Sequence, residues 1–97
     1  MDPERSSIST ADVVIATAGR DQGKLFYVLS AEDEFLILVN GKDRTLEKPK
    51  RKKRKHVQKV LRAETRVALK LRNSDKVLNS ELRRDLAFLI REIQSMT

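Results

Sequence analysis

The chain has 97 residues, 39% of them hydrophobic and 36% charged, which suits one small domain with a modest core. Its net charge at pH 7 is +7, a balance that favours a polyanionic partner. It contains no cysteine, which excludes disulfides and thiolate chemistry and fits a reducing, cytoplasmic environment.

The first 40 residues predict a short series of β-strands. Residues 1–10 are polar and partly acidic, which is typical of a flexible N-terminus and unlike a secretion signal. Val13 lies in the first predicted strand, and a loop with two glycines follows it. Residues 24–30 and 35–39 predict the second and third strands.

A fourth and a fifth strand are predicted in the middle of the chain. Asn40-Gly41 is the strongest short hairpin signal, and it predicts a tight turn into a strand over residues 44–48. Pro49 has no backbone donor and therefore suits the end of that strand. Residues 53–58 predict a short fifth strand.

The second and third strands are apolar on both faces, whereas a sheet with one face in water would alternate. One face can fill a small barrel, so we expect the C-terminal third to cover the other. Apolar residues recur there at helical spacing and predict a helix over residues 80–94 with Asn79 as its N-cap. A shorter helix is predicted over residues 62–71. No apolar run approaches the roughly 20 residues that a transmembrane helix requires.

The positive charge is concentrated in one part of the chain. Residues 1–47 carry a net charge of −4, residues 48–66 carry +9 and residues 67–97 carry +2. Lysine and arginine neutralise phosphates, so this distribution predicts a polyanion-binding patch. We call residues 48–56 the basic segment, and its candidate contacts are Lys48, Lys50, Arg51, Lys52, Lys53, Arg54, Lys55 and His56.

Further cations are predicted to share one face of the shorter helix. Lys59, Arg62, Arg66 and Lys70 fall close together at 100° per residue, and the first three are added to the candidate contacts. Two other interpretations of the basic segment stay open. It also suits a solvated charge run or, in a eukaryotic protein, a nuclear import signal.

Catalysis and metal binding have little support in the sequence. His56 is the only histidine, and neither a cysteine nor a nearby carboxylate pair accompanies it. The acids at residues 32–34 suit a solvated turn. We therefore expect no enzyme activity and no cofactor. Phe26, Tyr27 and Phe35 are assigned to the core, whereas Phe88 lies off the apolar stripe of its helix and is either a partner contact or partly buried.

The stretch from Val13 to Val28 resembles a KOW motif, in which alternating apolar residues surround one glycine, and Gly23 matches that glycine. Asn40-Gly41, residues 46–50 and residues 55–57 extend the similarity to short bacterial KOW-domain RNA-binding proteins. Those proteins are related to large-subunit ribosomal proteins of archaea and eukaryotes, and the similarity covers residues 12–58. The resemblance implies a five-stranded SH3-like barrel whose RNA-facing loop corresponds to Arg20, Asp21, Gln22, Gly23 and Lys24.

Composition and resemblance together predict a mainly β fold with a C-terminal α part. An SH3-like (KOW) barrel is expected over residues 11–58, with a helical extension over residues 59–97 that packs one or two helices on it. The predicted function is binding of structured, ribosomal RNA by a ribosome-associated protein of translation. The alternatives are a module that docks on a ribosomal or transcription protein, with its cations acting as a steering field, and non-specific DNA binding.

Overall fold

The structure, a computed structural model, describes residues 8–96. The chain forms a five-stranded antiparallel sheet with the strand order β4-β3-β2-β1-β5, followed by two helices. This arrangement confirms the predicted mainly β fold with C-terminal helices, although the sheet does not close. The strands are β1 (Asp12–Ala16), β2 (Leu25–Ala31), β3 (Phe35–Val39), β4 (Lys50–Lys53) and β5 (Val57–Arg62); a 3-10 turn (Arg54–His56) joins β4 to β5, and the helices are α1 (Arg66–Arg72) and α2 (Asn79–Ser95).

Two irregularities in strand register bend the sheet. One lies between Val13 and Val14 where β1 pairs with β5, and the other lies between Val28 and Ser30 where β2 pairs with β3. Such bulges increase the local twist of a strand and bend it. The sheet therefore has an inner face with a core of its own and an outer face that needs a cover.

The apolar residues of β1, β2 and β3 alternate between these faces. Val14, Phe26 and Leu36 belong to the inner core, which Ile8 also joins. On the outer face, Tyr27 packs in one cluster with buried residues of both helices. The prediction that the C-terminal third covers the second face is therefore confirmed. Of the expected flexible N-terminus, residues 1–7 lie outside the described residues.

Tyr27 also fastens the helices to the sheet through its hydroxyl group. The side chain is fully buried, and its hydroxyl bonds the Asp85 carboxylate of α2 and lies 3.2 Å from the Thr65 hydroxyl. Thr65 caps α1 by accepting a hydrogen bond from the Ala68 N–H at 3.1 Å. Burial, followed by the bond to Asp85, raises the pKa of Tyr27, so the phenol keeps its proton.

The fourth strand lies later in the chain than the hairpin signal predicts. Asn40-Gly41 opens a loop over residues 40–49 instead of a tight turn, because the Asn40 Oδ1 accepts hydrogen bonds from the N–H groups of Lys42 and Arg44. Residues 44–48 form no strand, and Lys50–Lys53 pairs with β3 in their place. The fifth strand begins at Val57, after the 3-10 turn.

The helices also begin at other residues than predicted. Because β5 takes residues 57–62, Lys59 and Arg62 lie on a strand, and the predicted four-cation helical face is wrong. Leu78, and not Asn79, occupies the N-cap position of α2; its N–H donates to the Glu81 carboxylate at 3.0 Å. The Asn79 Oδ1 instead accepts from the Leu46 N–H at 2.9 Å and so holds the loop over residues 40–49. Neither α1 nor α2 has the length and hydropathy needed to cross a bilayer.

Candidate nucleic-acid interface

The fold brings two of the predicted binding segments together. We call residues 17–24, between β1 and β2, the first loop. The Thr17 N–H of this loop donates to the His56 carbonyl of the basic segment at 2.8 Å. The Lys52 Nζ lies 3.2 Å from the position that a Cβ on Gly19 would take. The first loop and the basic segment therefore form one surface, although residues 25–47 separate them in the chain.

Within the basic segment, β4 divides its cations between the two faces of the sheet. Successive side chains of a strand point to opposite faces, and directly paired residues share a face. Lys50 and Lys52 pair with two buried leucines of β3 and therefore project to the inner side. Arg51 and Lys53 pair with Ile37 and Phe35 on the outer side. Because β4 is an edge strand, both rows lie along an open border of the sheet.

The outer row contains an aromatic contact that sequence reasoning missed. The Arg51 guanidinium lies over the Phe35 ring, 3.5 Å from its centroid, while its Nε lies 3.6 Å from the Glu32 carboxylate. Phe35 is half-buried and belongs to neither core cluster, so its assignment to the core is wrong. Nucleic-acid bases stack on guanidinium planes and aromatic rings. The register of β3 against β4 is the signal that would have identified this pair.

Three predicted contacts are engaged in holding the fold. Asp21 is only 3% exposed, and its carboxylate lies 3.1 Å from the Arg44 guanidinium. Its side chain therefore faces into the protein and is not part of the candidate interface. The Arg54 guanidinium donates to the carbonyls of Ile8 and Glu32. The Lys59 Nζ lies 3.3 Å from a carboxylate oxygen of the fully buried Asp12.

Two other predicted contacts lie outside the surface formed by the first loop and the basic segment. Arg62 ends β5, and its Nε bonds the Glu64 carboxylate at 3.0 Å. Arg66 is the first residue of α1 and is exposed. No hydrogen bond or ion pair within residues 8–96 joins either side chain to the basic segment.

Of the predicted cations in the first loop and the basic segment, six have no acidic side chain within 4 Å among the described residues. They combine the first loop with the basic segment, and we call them the unpaired cations: Arg20, Lys48, Lys50, Lys52, Lys53 and Lys55. Gln22 and Gly23 are exposed beside Arg20. Gly23 has a φ of +88°, a left-handed conformation that strains any residue with a Cβ.

Lys24, at the end of the first loop, is already paired. Its Nζ lies 2.6 Å from one Asp43 carboxylate oxygen and 3.6 Å from the Asp21 carboxylate. The hydrogen bond to Asp43 raises the pKa of Lys24, and the same bond, with one from Asn40, lowers the pKa of Asp43 to about 2. RNA would therefore have to compete with Asp43 for this ammonium group.

We expect Lys24→Met to raise the pKa of Asp43 from about 2 towards the ordinary value of 3.8, because the hydrogen bond from Lys24, the largest cause of the depression, is removed. The folded pKa lies below the unfolded value, so this pair stabilises the fold above pH 4 and loses that effect as the pH falls towards 2. An NMR titration of the Asp43 carboxyl carbon measures the shift. Lys42→Met, at the residue before Asp43, is the control. An equal rise of the Asp43 pKa in this variant would contradict the assignment of the shift to Lys24.

No group of three His, Asp or Glu side chains in the described part of the chain is placed to hold a metal ion. Comparison with known proteins finds no family model and no curated protein that matches this sequence. The similarity to the KOW motif therefore stays a prediction from residues 12–58.

Proposed function

We propose that this protein binds RNA through the surface formed by the first loop and the basic segment. One observation carries the proposal: the fold joins the two segments and supplies this surface with six cations that lack acidic partners within residues 8–96. Each lysine or arginine that meets an RNA phosphate releases condensed counterions, and this release favours binding. A strand edge and an anchored loop hold these charges in a defined arrangement.

The distribution of acidic side chains supports the same function. Asp12, Asp21 and Asp43 are paired with Lys59, Arg44 and Lys24, and none of the three lies within 4 Å of an unpaired cation. Another acidic side chain, Glu81 of α2, pairs with Lys70 of α1 at 2.9 Å. In the basic segment, Arg51 pairs with Glu32, whereas its five lysines have no acidic side chain within 4 Å among residues 8–96. Its positive potential is therefore left to an external polyanion.

Phosphate contacts carry no sequence information, so we expect weak discrimination between RNA sequences. Arg51 on Phe35 adds a surface on which an unpaired base can stack. Preference for RNA would then come from the 2′-hydroxyl and from the shape of single strands and loops. The KOW resemblance further suggests ribosomal RNA as the target and a cytoplasmic, ribosome-associated role in translation without catalysis.

The salt dependence of binding tests this proposal. If the six unpaired cations each meet one phosphate of a single strand, the slope of log affinity against log salt is about −4. A fourfold rise in salt then weakens binding by roughly 300-fold. Fluorescence anisotropy with ribosomal RNA fragments at several salt concentrations measures the slope. An affinity that does not change with salt would refute the proposal.

A second candidate function is docking on a ribosomal or transcription protein. Leu78 and Phe88 are 52% and 53% exposed, which shows that the fold leaves them uncovered. A groove of about 920 Å³ also runs between the outer sheet face and α2. Its apolar walls include Ile15, Leu25, Val60, Leu86, Ile90 and Ile93. Co-sedimentation with ribosomes after nuclease treatment separates the two functions, because a protein-held factor survives RNA digestion.

Non-specific DNA binding is the remaining alternative, since the same cations neutralise DNA phosphates. Matched RNA and DNA of identical sequence, measured at one salt concentration, distinguish it from the leading proposal. Equal affinity for the two would favour non-specific polyanion binding.

A further inference from the structure

We propose that Lys52 and the backbone of Gly19 and Arg20 form a seat for a single RNA phosphate group. This inference rests on the RNA binding proposed above and goes further, because it separates one directed contact from the diffuse attraction of the other lysines. The seat lies where the inner row of β4 meets the first loop.

The first support is the burial of Lys52. Only 8% of its surface is exposed, whereas its neighbours Arg51 and Lys53 are exposed. Its ammonium group has neither an ion pair nor a hydrogen bond with any residue from 8 to 96. The stem of Lys52 is buried while its ammonium group still reaches solvent without an acidic partner in that range, and an arriving phosphate would supply that partner. The low exposure also strengthens that contact relative to one made in open water.

The second support is the conformation of the first loop next to this ammonium group. Gly19 has a φ of +81°, and a Cβ there would lie 3.2 Å from the Lys52 Nζ. Glycine therefore keeps the space beside the ammonium open. The N–H groups of Gly19 and Arg20 make no hydrogen bond within the described residues. Backbone N–H groups next to a left-handed residue are a known means of holding an anion, and the Arg20 side chain is exposed beside them.

An inward-pointing lysine on an edge strand also deters pairing with another strand, and that role needs no ligand. The two roles predict different behaviour of Lys52→Met, which keeps the length of the side chain and removes its charge. Lys53→Met is the matched control, because it removes the same charge from the exposed side of the same strand.

We expect Lys52→Met to weaken binding of a short single-stranded oligouridylate by roughly ten- to a hundredfold, as fits the loss of a charge-assisted contact at a buried site. Lys53→Met should cost only about fourfold, the contribution of one exposed phosphate contact at physiological salt. Without RNA, both variants should keep a Tm close to that of the wild type, because methionine retains the length of the side chain and neither ammonium group has an acidic partner within residues 8–96. Anisotropy and thermal melting of the full chain measure these effects.

A pair of glycine variants tests the loop side of the seat. Gly19→Ala and Gly23→Ala impose similar backbone strain, at φ values of +81° and +88°, but only the first places a methyl group against the Lys52 Nζ. We expect Gly19→Ala to weaken RNA binding several-fold more than Gly23→Ala, which reports the cost of the backbone strain within the same loop. In the wild type, oligouridylate should shift the amide resonances of Gly19 and Arg20 in NMR spectra, and Lys52→Met should abolish these shifts.

The results separate this inference from the proposed function. If the wild type binds RNA with the expected salt dependence but Lys52→Met weakens binding no more than Lys53→Met, the seat is wrong and RNA binding stands. If the amide resonances of Gly19 and Arg20 did not shift when RNA was added, the proposed phosphate seat would also be wrong. If the wild type fails to bind RNA, the proposed function fails and the seat fails with it.

Discussion

Replacing Lys50, Arg51, Lys52 and Lys53 together with glutamine is expected to weaken RNA binding by roughly 150-fold or more at physiological salt, since Lys50 and Lys53 each contribute about fourfold and Lys52 at least about tenfold. The slope of log affinity against log salt should also become shallower by about 2, because three of the four residues are unpaired cations. Glutamine keeps much of each side-chain stem, so the pairing of β4 with β3 is retained. Fluorescence anisotropy across a salt series measures both quantities.

The control for this experiment removes the same number of charges elsewhere. Lys42, Lys76, Arg84 and Arg91 are exposed residues of loops and of α2, and none has an acidic side chain within 4 Å among residues 8–96. Changing these four residues to glutamine lowers the net charge equally. We expect this variant to lose only a few-fold in affinity, through the weaker overall field. Equal losses in the two variants would show that net charge, and not the position of the basic segment, governs binding.

Gly41→Ala is expected to be the most damaging single substitution for stability. Gly41 has a φ of +76°, and a Cβ there would overlap the Asn79 carbonyl oxygen and touch the Leu82 Cβ. The strained backbone and the steric overlap together cost roughly 2 to 5 kcal/mol. A domain of this size has a stability of only about 5 to 15 kcal/mol, so the variant should melt far below the wild type or fail to fold. Urea unfolding measures the difference.

Gly23→Ala is the matched control for this prediction. Its φ of +88° imposes a similar left-handed strain, but a Cβ there would meet nothing within 4 Å. We therefore expect a loss of only about 1 to 2 kcal/mol. If the two variants lost equal stability, the packing of the loop over residues 40–49 against the start of α2 would not have the role assigned to it.

The strands that were predicted well carry strong local signals. Apolar runs bounded by glycines and acidic turns placed β2 and β3 within one residue of their observed positions. Apolar side chains on both faces of these strands also required a cover, and the periodic C-terminal residues provided it. Local pattern and tertiary packing agree in these elements, so sequence reasoning succeeds there.

The strand β4 could not be predicted in this way. Lysine and arginine are poor strand formers when considered alone, and the segment Lys50–Lys53 becomes a strand because apolar β3 offers a partner. Asn40-Gly41 misled the prediction because the Asn40 side chain organises a longer loop. At α2, Asn79 bonds a distant loop residue and leaves the N-cap position to Leu78.

The candidate interface shows the same division between local and tertiary information. Charge clustering identified the basic segment, and a glycine-containing loop identified the residues near Arg20. The contact between the two, the division of β4 into inner and outer rows, and the position of Arg51 on Phe35 all depend on strand register. Register is a property of the assembled sheet, so no local pattern could have shown which lysine is buried.

The unclosed sheet has a final consequence for how copies of this protein meet. The free border of β4 offers unpaired backbone groups that could template a strand from another molecule. Like charges on two such borders repel each other, so the lysines that attract a polyanion also keep neighbouring molecules apart. Neutralising Lys50–Lys53, by substitution or by bound RNA, lifts that repulsion, and self-association should rise with the degree of neutralisation.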